Sequence, residues 1–219
     1  MNRSDGPPTT DIQHRCRHFR LVPGADILDP GRFLSEGGDI SAICNLVRTM
    51  IDDSTYSIRI STLSDSDAVS ALLVASYSSL LAARYDSDAL GRALPHMTTA
   101  NPRLLASGTY YVAERELGDL VGCGGWTTAP PGSGEIVERE AHIRHFATHP
   151  EWVGRRVGAS VLARCVSDAR PLGIRKLHCF STLNAEPFYR ACGFKTIGPI
   201  DVPMGPSLFP AVLMRRELV

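Results

Sequence analysis

The segment AHIRHFATHPEWVGRRVGASVLARC, residues 141–165, constrains the fold more than any other part of the sequence. Alternating apolar and polar residues predict a strand that ends near His149 and Pro150, and the apolar spacing from Val157 onward predicts a helix. A direct passage from strand to helix leaves the first N–H groups of the helix without intrahelical partners. The sequence therefore predicts an α/β unit with a potential ligand site at this turn.

The turn has the chemistry of an anion site. Unpaired N–H groups and the positive end of the helix dipole both favour negative charge. Gly154 and Gly158 permit close approach of a ligand to the backbone, and Arg155 and Arg156 add positive charge. The sequence lacks the Gly-Lys-Ser/Thr of a P-loop and the G-x-G-x-x-G of a dinucleotide site. We predict a pyrophosphate-binding turn, and a purely structural connection remains the alternative.

The remaining elements predict a mixed α/β fold. The order is β-α-α-β-β-β-α-β-α-β-β, which differs from a repeating βαβ array. Ser64 and Asp67 are predicted to form the capping box of the first helix. The predicted strands and helices cover, in chain order, residues 56–62, 64–80, 87–96, 109–115, 120–128, 135–150, 157–172, 175–182, 185–192, 194–200 and 209–218.

The first 49 residues lack sustained periodicity and are rich in Gly, Pro, Asp and Arg. We therefore predict a loosely ordered extension over residues 1–49 and one domain over residues 50–219. His14, Cys16 and His18 are too tightly spaced for a metal site, and no second ligand pair follows them. No metal is predicted.

Composition narrows the class of protein. The 23 basic and 23 acidic residues cancel, which argues against binding to nucleic acid or an anionic membrane. The six cysteines are scattered without a C-x-x-C pair, a pattern that suits a reducing compartment. With no apolar signal core and no run of 18 apolar residues, the sequence predicts a cytoplasmic protein.

A second informative segment is STLNAEPFYRACGF, residues 181–194. Asn184 is predicted to cap a short helix, Pro187 suits its first turn and Gly193 ends it. Tyr189 projects from this helix. On its own, that tyrosine is more typical of an aromatic residue in the core.

Together these segments resemble the GNAT superfamily of acyl-CoA-dependent N-acyltransferases. The resemblance runs from about Tyr56 to Leu218 and depends on VAERELGDLVGCGGW, IRHFATHPEW, VGRRVG and LNAEPFYRACGF. It implies a mixed, mostly antiparallel central sheet flanked by helices, and transfer of an acetyl group from acetyl-CoA to a small-molecule or peptide amine. By the same analogy, a homodimer is possible.

The resemblance also implies the residues of the site. The end of the long strand would separate from its neighbour and pair with pantetheine, the turn would hold the pyrophosphate, and Asn184 would touch the cofactor. Tyr189 falls where family members place the general acid beside the CoA sulfur. The implied cofactor-binding residues besides Asn184 are Phe146, Ala147, Thr148, Val153, Gly154, Arg155, Arg156, Val157, Gly158 and Ala159.

Two positions of the turn depart from the family pattern. Val153 stands where Gln or Arg is usual, and Arg156 stands where Gly is usual. A side chain at the second position either crowds the phosphates or adds a charged hydrogen bond worth about 1.5–3 kcal/mol. Because of Arg156 and a missing acid on the long strand, a non-catalytic acyl-CoA-binding module on the same fold is the alternative function.

The general base is poorly determined by the sequence. Relatives that use a strand acid would place it at Arg144, which cannot accept a proton. Ideal alternation puts Glu140, His142, Arg144 and Phe146 on one face, so Glu140 and His142 are the candidates, with a solvated strand face as the alternative. A bulge would change this parity. Tyr189 is a weaker acid than a thiol, so it either donates a hydrogen bond or has a lowered pKa.

Overall fold

A seven-stranded mixed sheet is the centre of the computed structural model, which describes residues 55–132, 134–205 and 207–218. The strands are β1 Ser57–Ile60, β2 Tyr110–Glu114, β3 Leu120–Thr127, β4 Glu140–Thr148, β5 Lys176–Ser181, β6 Lys195–Met204 and β7 Ser207–Glu217. The helices are α1 Ser66–Leu80, α2 Ser87–Met97, α3 Pro102–Leu105, α4 Val157–Ala169 and α5 Glu186–Ala191. The predicted extension and its His14, Cys16 and His18 lie outside the described residues.

The strand order is β1-β2-β3-β4-β5-β7-β6. Every neighbouring pair is antiparallel except β4 and β5, which run parallel. The predicted mixed, mostly antiparallel sheet with flanking helices is therefore confirmed. The single parallel pair lies at the centre of the sheet, where the chain crosses from β4 to β5 through α4.

Helices pack on both faces of the sheet because side chains alternate along each strand. Tyr111 belongs to the buried cluster under α4, whereas its neighbour Tyr110 belongs to the cluster under α1. Helix α4 contributes Val161, Leu162 and Cys165 to the first cluster, and α1 contributes Val69, Leu72 and Leu73 to the second. Burying each large apolar side chain stabilises the fold by about 1.5–3 kcal/mol.

The structure differs from the predictions at the beginning of β4 and ahead of α1. The strand predicted from residue 135 begins at Glu140, because Arg139 has a φ of 62° that interrupts extended backbone. The predicted Ser64–Asp67 capping box is wrong. The box is made by Thr62 and Asp65 at a short 3₁₀ helix, Leu63–Asp65, that leads into α1, and Thr62 donates its N–H to the Asp65 carboxylate over 2.7 Å. Arg59 binds that carboxylate at 2.8 Å and so holds this turn ahead of α1.

Glycines in β3 let neighbouring elements approach its backbone. A Cβ at Gly122 would overlap the Val157 side chain at the start of α4, and one at Gly124 would overlap the Phe146 ring of β4. The sequence VGCGGW thus allows the first turn of α4 and the end of β4 to lie directly against β3.

A β-bulge at His145 changes the face on which later residues of β4 lie. Cys123 pairs with Ala147 but Gly125 pairs with Arg144, so β4 contains one extra residue, and His145 has a φ of 45°. Phe146 consequently packs with the α4 cluster and Ala147 with the α1 cluster. The predicted common face for Arg144 and Phe146 is therefore wrong.

No helix in the described ranges has both the length and the hydrophobicity required to cross a membrane.

Candidate active site

The parallel strands β4 and β5 separate after a short stretch of pairing. Their register covers only Glu140 with Lys176 through His142 with His178. Beyond this point β4 continues beside β3 as far as Thr148, while β5 continues beside β7 as far as Ser181. The two strands therefore leave a gap between them that no strand of the described chain fills.

Backbone groups of β4 face this gap. His149 donates its N–H to Val121 of β3 over 2.9 Å, and Ala147 pairs with β3 two residues earlier. Because antiparallel pairing alternates, the amide groups of Phe146 and Thr148 point away from β3. The Phe146 carbonyl accepts a hydrogen bond from the Tyr77 hydroxyl over 3.1 Å. The other amide groups of this edge can pair with an extended ligand.

The turn after β4 presents free donors. Gly154 and Arg156 have φ angles of 83° and 65°, and the first helical bond runs from Ser160 N–H to the Arg156 carbonyl over 2.9 Å. Five amide N–H groups at the turn find no acceptor among the described residues: those of Gly154, Arg156, Val157, Gly158 and Ala159. This arrangement suits a phosphate or diphosphate.

The turn is anchored on one side and exposed on the other. Val157 is buried against β3, whereas Val153, Arg155 and Arg156 are exposed. The Arg155 guanidinium lies 5.0 Å from the centre of the Trp152 ring, and this cation–π contact holds it beside the turn. Positive charge therefore accompanies the free N–H groups.

Tyr189 lies in α5, on the opposite side of the gap. It is buried among aromatic rings, with centroid distances of 4.9 Å to Phe188, 5.4 Å to Phe194 and 6.2 Å to Phe146. Burial, together with the neighbouring Cys179 thiol, raises the pKa of Tyr189 well above 10. Its hydroxyl is therefore a hydrogen-bond donor at physiological pH, and the prediction of a lowered pKa is not supported.

Gly158 lies where the turn approaches α5, the helix that contains Tyr189. A Cβ at this position would lie 3.3 Å from both the Thr148 hydroxyl oxygen and the Phe188 Cζ. The beginning of α4, the end of β4 and α5 therefore meet at one point. Phe188, adjacent to Tyr189, occupies the space between that point and the tyrosine.

A cavity of about 370 Å³ opens beside Tyr189. Its wall is mainly apolar, and no described residue that lines it belongs to the turn of residues 153–159. Its polar and charged lining residues include Tyr77, Arg144, His145, Thr182, Tyr189 and Asp201. A larger cavity of about 520 Å³ lies between α1 and Trp152, away from Tyr189. We assign the chemistry to the smaller one because it contains Tyr189 and borders the gap.

A comparison with models of protein families identifies the class of enzyme to which this site belongs. Residues 106–196, which include the turn and Tyr189, match the model described as "Acetyltransferase (GNAT) domain". The matched segment is a GNAT acetyltransferase domain. The predicted superfamily, and with it the class of acyl-CoA-dependent N-acyltransferases, is confirmed.

Solved structures share the fold of this GNAT domain. A GCN5-related N-acetyltransferase from Rhodopseudomonas palustris aligns with a TM-score of 0.61 and 22% identity, over 75% of this chain and 96% of that one. The PaiA N-acetyltransferase from Thermoplasma acidophilum, solved in complex with coenzyme A, aligns with a TM-score of 0.56 and 14% identity, over 74% and 99%. No curated protein matches the chain.

The GNAT domain places the two predicted bases away from Tyr189. Glu140 binds Lys176 Nζ at 2.8 Å and His178 Nε2 at 2.7 Å, and these partners lower its pKa. His142 stacks on His178, and burial lowers its pKa to about 4. Neither Glu140 nor His142 lines the cavity, so the general base of the GNAT domain remains a prediction.

His145 is a site residue that sequence reasoning missed. The bulge makes it part of the cavity wall, and burial lowers its pKa to about 4, so the imidazole is neutral at physiological pH. A neutral ring nitrogen can accept a hydrogen bond from an amine. No glycine marks the bulge in the sequence of β4, so the alternation pattern alone does not reveal it.

Asn184 is placed differently from the sequence prediction. Helix α5 begins after Ala185, and the Asn184 side chain does not cap it. Its carboxamide oxygen is buried and has no hydrogen-bond partner among the described residues. Since buried polar atoms are normally paired, this oxygen is free to accept a hydrogen bond from a ligand.

Proposed function

We propose that this GNAT domain transfers an acetyl group from acetyl-CoA to an amine by direct attack. One observation carries the proposal: beyond its pairing with β5, the free edge of β4 extends from Phe146, whose ring centre lies 6.2 Å from that of Tyr189, to the turn with five unpaired N–H groups. Coenzyme A has a matching chemical order, with a diphosphate, an amide-containing pantetheine arm and a terminal sulfur.

The turn would hold the diphosphate through the free N–H groups of Gly154 and of residues 156–159, assisted by the side chains of Arg155 and Arg156. The pantetheine amides would pair with Phe146 and Thr148, and the Asn184 carboxamide oxygen would accept from the cofactor. The coenzyme A complex of the Thermoplasma acidophilum structure, which has the same fold, supports this choice of cofactor.

The chemistry requires no covalent intermediate on the protein. The amine lone pair attacks the thioester carbonyl carbon, the C–S bond breaks, and its electron pair leaves on sulfur. The nitrogen releases one proton to solvent as the amide forms. Tyr189 keeps its proton and stabilises the departing thiolate with a hydrogen bond. An alkyl ammonium has a pKa near 10.4, so the acceptor must lose a proton before attack. His145 can accept a hydrogen bond from the neutral amine.

Tyr189→Phe tests the role of the hydroxyl. The change keeps the ring among Phe146, Phe188 and Phe194 but removes the donor. We expect kcat for CoA release to fall by about 10²-fold, the usual effect of removing one such donor, with the Kd for acetyl-CoA unchanged. Thiol release over an amine panel and calorimetric titration measure the two quantities.

Tyr111→Phe is the matched control. Its hydroxyl donates to Asp168 over 2.8 Å and does not line the cavity. This variant should lose about 1 kcal/mol of stability and retain turnover. Full turnover by the Tyr189→Phe enzyme would rule out the proposed donor.

A non-catalytic acyl-CoA-binding module is the second candidate. It is favoured by Arg144 standing where some relatives carry an acid, and by the raised pKa of Tyr189. Stabilisation of the protein by acetyl-CoA, without CoA release on any amine, would favour this function over catalysis.

A further inference from the structure

Arg144 carries a charge in the cavity wall without a charged partner. It lies on β4 opposite Gly125 and lines the cavity that contains Tyr189. Its Nη1 donates to the Thr127 hydroxyl over 2.9 Å and to the Ala129 carbonyl over 3.4 Å. Both acceptors are neutral. Among the described residues, no carboxylate pairs with this guanidinium.

An unpaired, half-buried guanidinium is unusual. An arginine cannot discharge itself by losing its proton, and charges taken out of water are normally paired. Because the side chain is half-buried, water only partly solvates the group, and this burial lowers the pKa of Arg144. The Thr127 and Ala129 contacts use Nη1 alone, so Nε and Nη2 retain free donors. These donors form the edge that binds a carboxylate through two parallel hydrogen bonds.

The residues that line the cavity indicate which reactant can reach Arg144. The coenzyme's diphosphate belongs at the turn of residues 153–159, which does not line this space. With the diphosphate held there, the acceptor is the reactant that can bring an anion to Arg144. Asp201 also lines the cavity and forms no ion pair with the described residues. One positive and one negative side chain thus face a small, mainly apolar space of about 370 Å³.

We infer that the acceptor is a small amino acid or related amine whose carboxylate binds Arg144. This inference rests on the proposed function, since it identifies the substrate class of the same site. The amine then lies on the side of the cavity that contains His145 and Tyr189, and Asp201 complements its positive charge before deprotonation.

Binding of product-like ligands tests the inference without requiring turnover. The probes are N-acetylalanine, N-acetylmethionine and N-acetylphenylalanine, each matched with the acetamide of the corresponding decarboxylated amine. In the wild-type protein loaded with CoA, we expect at least one carboxylate probe to bind 10-fold or more tightly than its partner. Arg144→Gln should reduce that ratio to about 2-fold or less and leave CoA affinity unchanged.

Arg215→Gln is the matched control, because Arg215 pairs with Glu217 at 3.2 Å and does not line the cavity. It should retain the wild-type ratio. Equal affinity for both members of every wild-type pair would overturn the inference, as would an unchanged ratio in Arg144→Gln. Tighter binding of N-acetylphosphoethanolamine than of every carboxylate probe would also overturn it.

Measuring turnover distinguishes failure of the proposed substrate class from failure of the proposed catalytic function. With alanine, methionine, phenylalanine and their decarboxylated amines as acceptors, kcat/KM should favour the amino acid and lose that preference in Arg144→Gln. Carboxylate-dependent binding without CoA release on any acceptor would reject catalysis while supporting the ligand class. CoA release that ignores the carboxylate would support catalysis and reject the ligand class.

Discussion

At the scale of single residues, Arg156 combines an unfavourable conformation with a useful charge. Its φ of 65° lies in the left-handed region, which costs a non-glycine residue about 1–2 kcal/mol. The family pattern has Gly here, so the strain is a property of this sequence. The exposed guanidinium next to the free N–H groups of the turn offers a reason for tolerating that strain.

Comparison of Arg156→Gly with Arg156→Ala isolates the strain, because both variants lose the same charge. We expect the Gly variant to be more stable than the Ala variant by about 1 kcal/mol in urea unfolding. Both should bind CoA more weakly, and the loss should shrink as salt screens the phosphate.

Arg155 supplies the control position, since it is not among the residues with positive φ. There the order of stability should reverse, with Ala at or above Gly. The same order at both positions would mean that left-handed strain at Arg156 is not stored in the folded protein.

The sequence identified Tyr189 and the turn because both belong to local patterns of strand, glycine and helix. It missed His145 because a bulge depends on pairing between β3 and β4, which local alternation does not encode. It misplaced Asn184 for a similar reason. An asparagine before a helix predicts a cap, but here the helix begins after Ala185.

At the scale of elements, the glycines of β3 set how closely β4 and α4 approach it. Gly124→Ala would place a methyl group in the Phe146 ring and force that ring, with the adjacent bulge, to move. We expect a loss of about 1–3 kcal/mol in unfolding free energy and weaker CoA binding. Denaturant unfolding and calorimetry measure both effects.

Gly91→Ala is the control for this change. Gly91 lies in α2, and a Cβ there would meet nothing within 4 Å. That variant should gain about 0.5–1 kcal/mol from helix propensity. A Gly124→Ala protein as stable as the wild type would show that Phe146 is not held against β3.

Most elements could be predicted because their hydrophobic periods are long. Helix α2 and the hairpin of β2 and β3 lie where the sequence places them. The error ahead of α1 comes from side chains that meet across the fold. Arg59 lies in β1 and Asp65 directly precedes α1, and their ion pair holds the turn before that helix.

At the scale of the whole molecule, buried histidines make folding sensitive to acid. The pKa values of His142 and His145 are lowered from 6.5 to about 4, chiefly by burial. The unfolded chain therefore binds protons first as the pH falls. Their stabilisation is complete above pH 6.5 and is lost toward pH 4. We expect unfolding free energy to drop by about 1–2 kcal/mol for each histidine between pH 7 and 5.

Urea titrations at several pH values check this expectation. The double variant His142→Gln, His145→Asn should flatten the dependence between pH 7 and 5, and asparagine tolerates the φ of 45° at residue 145. His96→Gln, at an exposed position of α2, is the control and should leave the slope of unfolding free energy against pH unchanged. Carboxylates with lowered pKa values, such as Glu140 and Asp168, contribute at lower pH. An unaltered slope in the double variant would refute the assignment.

Because β4 and β5 pair over a short stretch, few backbone hydrogen bonds hold the two parts of the sheet together. Among the described residues, the backbone pairing that joins strands β1 to β4 to strands β5, β7 and β6 is confined to residues 139–142 and their partners at 175–178. A coenzyme lying along the unpaired edge would therefore complete the backbone hydrogen bonding of the protein as well as serve as reactant. Loading the enzyme and consolidating its central sheet would then be a single event, and each turnover would begin and end with a less tightly joined fold.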